Sequence, residues 1–178
     1  MSRMTAIVMK DTKATSGQVS DWYDGFTAQQ KKLGINLRHR TILRNARKAG
    51  LRDGIQVLEV GCGIGTVTSL LVKNVRDVKI LAVDISPKSI SIAKENLRRS
   101  PNVEFLVSDM SDFNRPERFD LVVLPDVIEH IPLEHHPSLF STIARHMRPD
   151  GRVLINVPNA QLLEHLHAHD EVAVAVDA

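Results

Sequence analysis

Val57-Leu58-Glu59-Val60-Gly61-Cys62-Gly63-Ile64-Gly65-Thr66 runs from an apolar stretch straight into three glycines at alternate positions. The run reads as a strand ending in a sharp turn, where glycine permits left-handed backbone or the close approach of another group. In an open parallel sheet, ligands bind beyond the carboxyl ends of the strands, and a glycine turn after the first strand brings a ligand against backbone and a helix N-terminus. The spacing narrows the kind of ligand. A dinucleotide fingerprint sets its third glycine three residues after the second, whereas Gly61, Gly63 and Gly65 are each two apart. Glu59, at the strand end, opposes a pyrophosphate and favours a cationic group. The turn is therefore read as a site for a cationic nucleoside, and a nicotinamide-dependent oxidoreductase is disfavoured.

The rest of the chain agrees with a doubly wound sheet. Short β-branched runs at 56–60, 78–83, 103–107, 119–124 and 152–157 alternate with helical patterns. Most of these runs are too apolar for a sheet with one wet face, and the segments between them are long enough to cross over, so the expectation is an α/β fold with a mainly parallel sheet. Ser86-Pro87 reads as an N-cap followed by proline at the first helical position, with Ile90, Ala93 and Leu97 on one side. Leu139, Ile143 and Met147, widened by Phe140 and Ala144, form a second stripe, which Pro149-Asp150-Gly151 is expected to end. Before the first strand, residues 17–50 read as a helical cap of two helices broken near Gly34. Residues 1–16 read as a mobile arm, 51–158 as the core and 159–178 as a short tail.

Composition excludes several classes. The chain has 178 residues, 43% of them hydrophobic, and a formal charge of +2. One domain is expected, and nothing in the charge demands a nucleic-acid partner. The single cysteine, Cys62, allows no internal disulfide and suits a reducing compartment. With no apolar run of about 18 residues and no signal-peptide core, the chain reads as cytoplasmic and without a membrane partner.

"LEVGCGIGT", followed by Asp84 in "LAVDIS", Asp109 in "LVSDM" and the segment "FDLVVLPDVIEHI", resembles the class I S-adenosylmethionine-dependent methyltransferases, over roughly residues 22–159. The resemblance implies a Rossmann-like fold and S-adenosylmethionine as cofactor. It also implies a site assembled from strand ends. Gly61 and Gly63 let the chain pass close to the methionine part, and Glu59 favours its positive region. Asp84 is placed to accept from the ribose hydroxyls, Ile85 to lie on the adenine, and Asp109 to accept from the adenine amine with Met110 against the ring. Pro125 borders the reacting methyl. Cys62 lines the same turn, where its side chain reads as packing, and Arg38 is a candidate for the cofactor's carboxylate or a substrate anion.

Asp126-Val127-Ile128-Glu129-His130 has three readings. On a helix, Asp126, Glu129 and His130 share one face near the methyl. His130 then serves as a general base on a substrate hydroxyl, or the trio forms a divalent-metal site, as in the small-RNA 2′-O-methyltransferases that the segment also resembles. The third reading is a helix start whose acids favour the N-terminus. The base reading is preferred and no metal site is assigned. The remaining histidines, in Glu134-His135-His136 and near His165, His167 and His169, read as solvated helix ends. The expected function is methyl transfer to a small-molecule acceptor, by preference an oxygen; the alternative is a noncatalytic or truncated cofactor-binding domain with an interaction role. The chain stops soon after the fifth strand, so the C-terminal strand pair that the resemblance implies is expected to be incomplete. Residues 171–176 have the alternation of one further strand, and the expectation is either that the chain is a truncated form of a longer protein or that this stretch pairs between subunits in a homodimer through that sheet edge.

Overall fold

The computed structural model describes residues 34–157. Helix α1 (Leu37–Lys48) precedes β1 (Gln56–Val60), α2 (Thr66–Asn74), β2 (Lys79–Asp84), α3 (Pro87–Asn96), β3 (Val103–Val107), β4 (Phe119–Pro125), α4 (His136–His146) and β5 (Met147–Asn156). Two short 3₁₀ turns, Ile128–His130 and Leu133–His135, lie between β4 and α4. The five strands form one sheet in the order β3-β2-β1-β4-β5, and all four pairings are parallel. The chain starts in the middle of the sheet, winds outward to β3 and then crosses to β4. Strand order thus reverses beside β1, which opens a crevice at the carboxyl ends of β1 and β4.

Strand alternation splits the core between the two faces. Val57, Ile80, Ala82, Leu121 and Val123 point to one side, where they pack with Ile42 and Ala46 of α1 and Val67, Leu70 and Leu71 of α2. Leu58, Val60, Leu81, Val83, Val122 and Leu124 point to the other, against Leu139 and Ile143 of α4. Both faces of the central strands are dry, which is why β1, β2 and β4 read as continuous apolar runs rather than alternating ones. Ser86 caps α3 by accepting from the Ser89 amide at 3.0 Å, with Pro87 at the first helical position.

Several expectations are corrected. Leu139 and Ile143 lie on α4, but the helix ends at His146, and Met147 already belongs to β5. Pro149-Asp150-Gly151 does not simply close the helix. It forms an irregularity within β5, whose register jumps from Phe119↔Met147 to Leu121↔Arg152. Such a bulge absorbs extra residues that a ladder cannot pair, and proline has no amide to donate. The Asp126–His130 segment is not a continuous helix, because Asp126 adopts φ 56° and interrupts it. The arm at 1–16, the first helix of the cap, the tail and the alternating stretch 171–176 lie outside the described residues.

Candidate functional site

The glycine turn folds inward. The amides of Gly61 and Cys62 both donate to the Val83 carbonyl, at 2.7 and 3.0 Å, and Gly65 donates to the Cys62 carbonyl at 2.9 Å. The Gly63 amide donates to Asp84 Oδ2 at 2.7 Å. Four amides that a phosphate cradle would aim at its ligand are thus bonded within the protein, and two carboxylates stand beneath them. The turn's chemistry fits a cation far better than a pyrophosphate.

Glycine is required here by backbone and packing. Gly61, Gly63 and Gly65 have φ of 78°, 53° and 83°. A Cβ on Gly61 would collide with Val127 Cγ2, and one on Gly65 would sit 2.7 Å from Leu97 Cδ1. The turn is therefore wedged between the β4 loop and the end of α3. Asn96 completes the hold by donating to the Ile64 carbonyl at 3.0 Å.

Two acids define the floor. Asp84 is buried, and its Oδ1 accepts from the Ser86 amide at 2.9 Å while Oδ2 holds Gly63. These bonds fix the orientation of a carboxylate that has about four lone-pair sites. Glu59 is completely buried. Its Oε2 accepts from the Thr68 hydroxyl at 2.7 Å, whereas Oε1 has no hydrogen-bond partner among the described residues. Burial, reinforced by the nearby Asp84 charge and opposed by the Thr68 bond, pushes the Glu59 carboxyl up to about 8. An orphaned carboxylate oxygen is costly unless something cationic or a donor reaches it.

The other predicted positions separate into groups. Cys62 is buried, and burial together with Glu59 and Asp84 holds its thiol well above the usual range, so it remains a protonated packing group. Ile85 is half-buried at the mouth. Asp109 is exposed after β3, its Oδ1 accepting from the Ser111 amide at 2.9 Å and hydroxyl at 2.6 Å. Met110 does not present its side chain on an open face: it is buried in the second core cluster with a backbone φ of 69°. Pro125 ends β4 and is half-buried.

Asp126, the next residue, is tied to three elements. It forms an ion pair with Arg38 of α1, its Oδ1 accepts from Asn156 Nδ2 at 2.7 Å, and its amide donates to the Asn156 carbonyl at 2.9 Å. Arg38 is thus directed to Asp126 rather than into the glycine turn. The left-handed backbone at Asp126 replaces the expected helix face, and Asp126, Glu129 and His130 remain within electrostatic reach of one another. His130 Nε2 lies 4.0 Å from Glu129 Oε1, with its side chain 50% exposed, and among the described residues no group of three or more His, Cys, Asp and Glu could hold a metal ion. A separate open cavity of about 490 Å³, lined by Arg52, Asp120, Arg148 and Arg152, lies at the opposite end of β4 and β5 and takes no part in this site.

Thr68, Val127 and Asn156 are site-forming residues that motif reading misses. Thr68 alone left a trace, as a polar residue nine positions after Glu59 in an otherwise apolar helix face.

A family model described as a methyltransferase domain matches residues 57–151, more than half of the chain. The chain belongs to that family. This methyltransferase domain is 34% identical over 128 residues to phosphoethanolamine N-methyltransferase 1 of Arabidopsis thaliana, covering 67% of the chain and 26% of that protein. It is 33% identical over 100 residues to malonyl-[acyl-carrier protein] O-methyltransferase 1 of Ilyobacter polytropus, covering 56% of the chain and 35% of that protein. The chain spans well under two thirds of these relatives. In fold, the methyltransferase domain resembles the protein in the DhpI–SAH complex, with a TM-score of 0.67 at 20% identity over 82% of this chain and 70% of that one. The family uses S-adenosylmethionine. No described helix is long and apolar enough to cross a membrane.

Proposed function

We propose that the chain binds S-adenosylmethionine across the ends of β2, β1 and β4 and transfers its methyl to a small-molecule acceptor. The observation that carries this reading is the buried Glu59, whose Oε1 has no hydrogen-bond partner among the described residues, beneath an inward-bonded glycine turn. A sulfonium nucleoside bearing an amino group supplies the positive charge and donors that stabilise the ionised form of Glu59, which burial otherwise disfavours. When bound, it supplies an already activated methyl, so the protein's task is alignment and exclusion of water. Asp84, fixed by Gly63 and Ser86, is oriented to accept from a ribose diol. Gly61 and Gly63 keep the passage open, and Ile85 and Asp109 flank the adenine end. Met110 supports that end from within the core. Pro125 and the loop after it border the acceptor.

His130 is our candidate for removing the acceptor's proton. Its side chain is half-exposed on the loop that carries Asp126, so it can meet an acceptor arriving from solvent. We favour an oxygen acceptor. The printed names of the relatives include one N- and one O-methyltransferase, so the acceptor atom is the point to test. Their substrate names share an oxyanion, a phosphate in one and a carboxylate in the other.

Calorimetry tests the cofactor, with S-adenosylmethionine and S-adenosylhomocysteine expected to bind and NAD not. Asp84→Ala is expected to weaken binding at least tenfold. A preference for NAD would overturn the reading. His130→Ala is expected to lower turnover about a hundred-fold while changing cofactor affinity little; unchanged turnover on a true acceptor rejects the base role. Cofactor binding without turnover across an acceptor panel would support a noncatalytic binding domain instead.

A further inference from the structure

The crossover from β3 to β4, residues 108–118, has no helix among its described residues. Parallel strands are usually joined through a helix, which satisfies its own backbone groups while it covers the sheet. Here single side chains do both. Met110 and Phe113 are buried in the second core cluster with Leu139 and Ile143 of α4. The amides of Met110 and Ser111 donate to Ser108 Oγ and Asp109 Oδ1, each at 2.9 Å. That of Arg115 donates to Nε2 of His146, the last residue of α4, at 3.1 Å.

His146 is a buried histidine that the methyl-transfer chemistry leaves unused. Its Nδ1 lies 2.7 Å from the Thr142 carbonyl oxygen. A carbonyl only accepts and an amide N–H only donates, so the ring proton sits on Nδ1 and Nε2 is the bare nitrogen. The ring also meets that of Phe113 edge-on, with centroids 4.8 Å apart. One side chain at the end of α4 therefore holds the crossover at two points, the Arg115 backbone and the Phe113 ring. The Arg115 side chain ties the same segment to Glu104 of β3 at 2.6 Å and to Glu117 at 3.3 Å.

The segment held in this way carries Asp109. Asp109 Oδ1 accepts from both the amide and the hydroxyl of Ser111. The orientation of this carboxylate is thus set by the crossover itself and follows wherever the crossover is placed. Met110, at φ 69°, stands between the exposed Asp109 and the buried Phe113. We infer that His146 is a positioning residue for the adenine end of the cofactor: by holding Arg115 and Phe113 it places Asp109 to accept from the exocyclic amine of the base, and so sets the choice of nucleobase. This rests on the S-adenosylmethionine reading for the base, but not for the hold of His146 on the crossover.

The test uses the full chain and two ligands, S-adenosylhomocysteine and S-inosylhomocysteine, in which an oxo group replaces the amine of the base. An Asp109 carboxylate held in place accepts from the amine and opposes the oxygen, so the wild type is expected to prefer the adenosyl ligand by about tenfold or more. His146→Phe keeps a ring against Phe113 but offers the Arg115 amide no acceptor. His146→Gln gives up the ring and keeps an acceptor at the reach of Nε2. The preference is expected to fall below about threefold in His146→Phe and to stay within about twofold of wild type in His146→Gln. A general loss of stability would weaken both ligands alike and leave the preference unchanged, and a role in packing alone would make His146→Phe the milder variant. Either result overturns the inference, as does equal affinity of the wild type for the two ligands. The nitrogen-15 resonances of the His146 ring give a check that needs no variant: a proton on Nδ1 is expected, and a neutral ring protonated on Nε2 overturns the inference. Failure of the wild type to bind either ligand defeats the cofactor reading instead. Hydrogen exchange at the Arg115 amide, expected to quicken about tenfold or more in His146→Phe and not in His146→Gln, then decides whether His146 holds the crossover.

Discussion

Glu59 is an acid folded in a place that penalises its charge. Its carboxyl sits near 8 instead of the ordinary 4.5, chiefly through burial. The folded state therefore keeps a proton that the unfolded chain gives up. Stability from this group is fully present below the ordinary value and is lost as pH rises toward 8, on the order of a few kcal/mol across the window. Glu59→Gln, which mimics the protonated acid and can still accept from Thr68, is expected to flatten that slope. Denaturant unfolding at pH 5 and pH 8 checks it: wild type loses stability between the two and the variant does not, whereas parallel slopes would reject the assignment. Glu59 and Asp84 were legible in the sequence because acids at strand ends are unusual chemistry at a predictable place. Their partners were not. Thr68 pairs with Glu59 across a turn, and Asn156 meets Asp126 at a separation of 30 residues; both depend on how elements pack, which no local pattern encodes.

At the scale of elements, the turn after β1 and the loop after β4 are parts of one packing unit. Gly61 has positive φ and faces Val127 with no space for a Cβ. Gly61→Ala is expected to cost about 2–4 kcal/mol, combining left-handed strain with the clash. In the background of Val127→Ala, which removes the offending methyl, the same substitution is expected to cost only about 1–2 kcal/mol, the backbone share. Chemical denaturation of the four proteins in this cycle checks it; an unchanged cost would show that the loop moves aside. The same loop shows where pattern reading failed. Asp126 to His130 has the spacing of a helix face, yet Asp126 takes a left-handed conformation that aspartate tolerates and Asn156 stabilises. Likewise, Pro149 and Gly151 read as a stop signal, but the ladder with β4 continues around them. By contrast, the Ser86-Pro87 start of α3 was legible because its cap is made by neighbours in sequence.

For the molecule as a whole, the parallel sheet and its central strands follow from dry, β-branched runs separated by crossover lengths. The outer strand is different. Among the described residues β5 pairs on one side only, and Val153, Ile155 and Val157 are 37%, 42% and 51% exposed. An apolar strand with an open ladder invites another chain. Sedimentation of the full chain is expected to show association that grows with concentration and weakens in Ile155→Lys; a monomer at every concentration would exclude it. A chain ending at Asp170 asks whether residues 171–176 take part.

The two acids beneath the turn would meet different fates in a descendant that no longer needed a ligand. Asp84 would persist, because the same carboxylate folds the glycine turn and starts α3. Glu59 is a buried acid that the fold holds protonated, at a position an uncharged side chain would fill, so selection for stability alone would replace it first. Among such descendants, loss of Glu59 with Asp84 retained is therefore the pattern expected where the ligand has been given up.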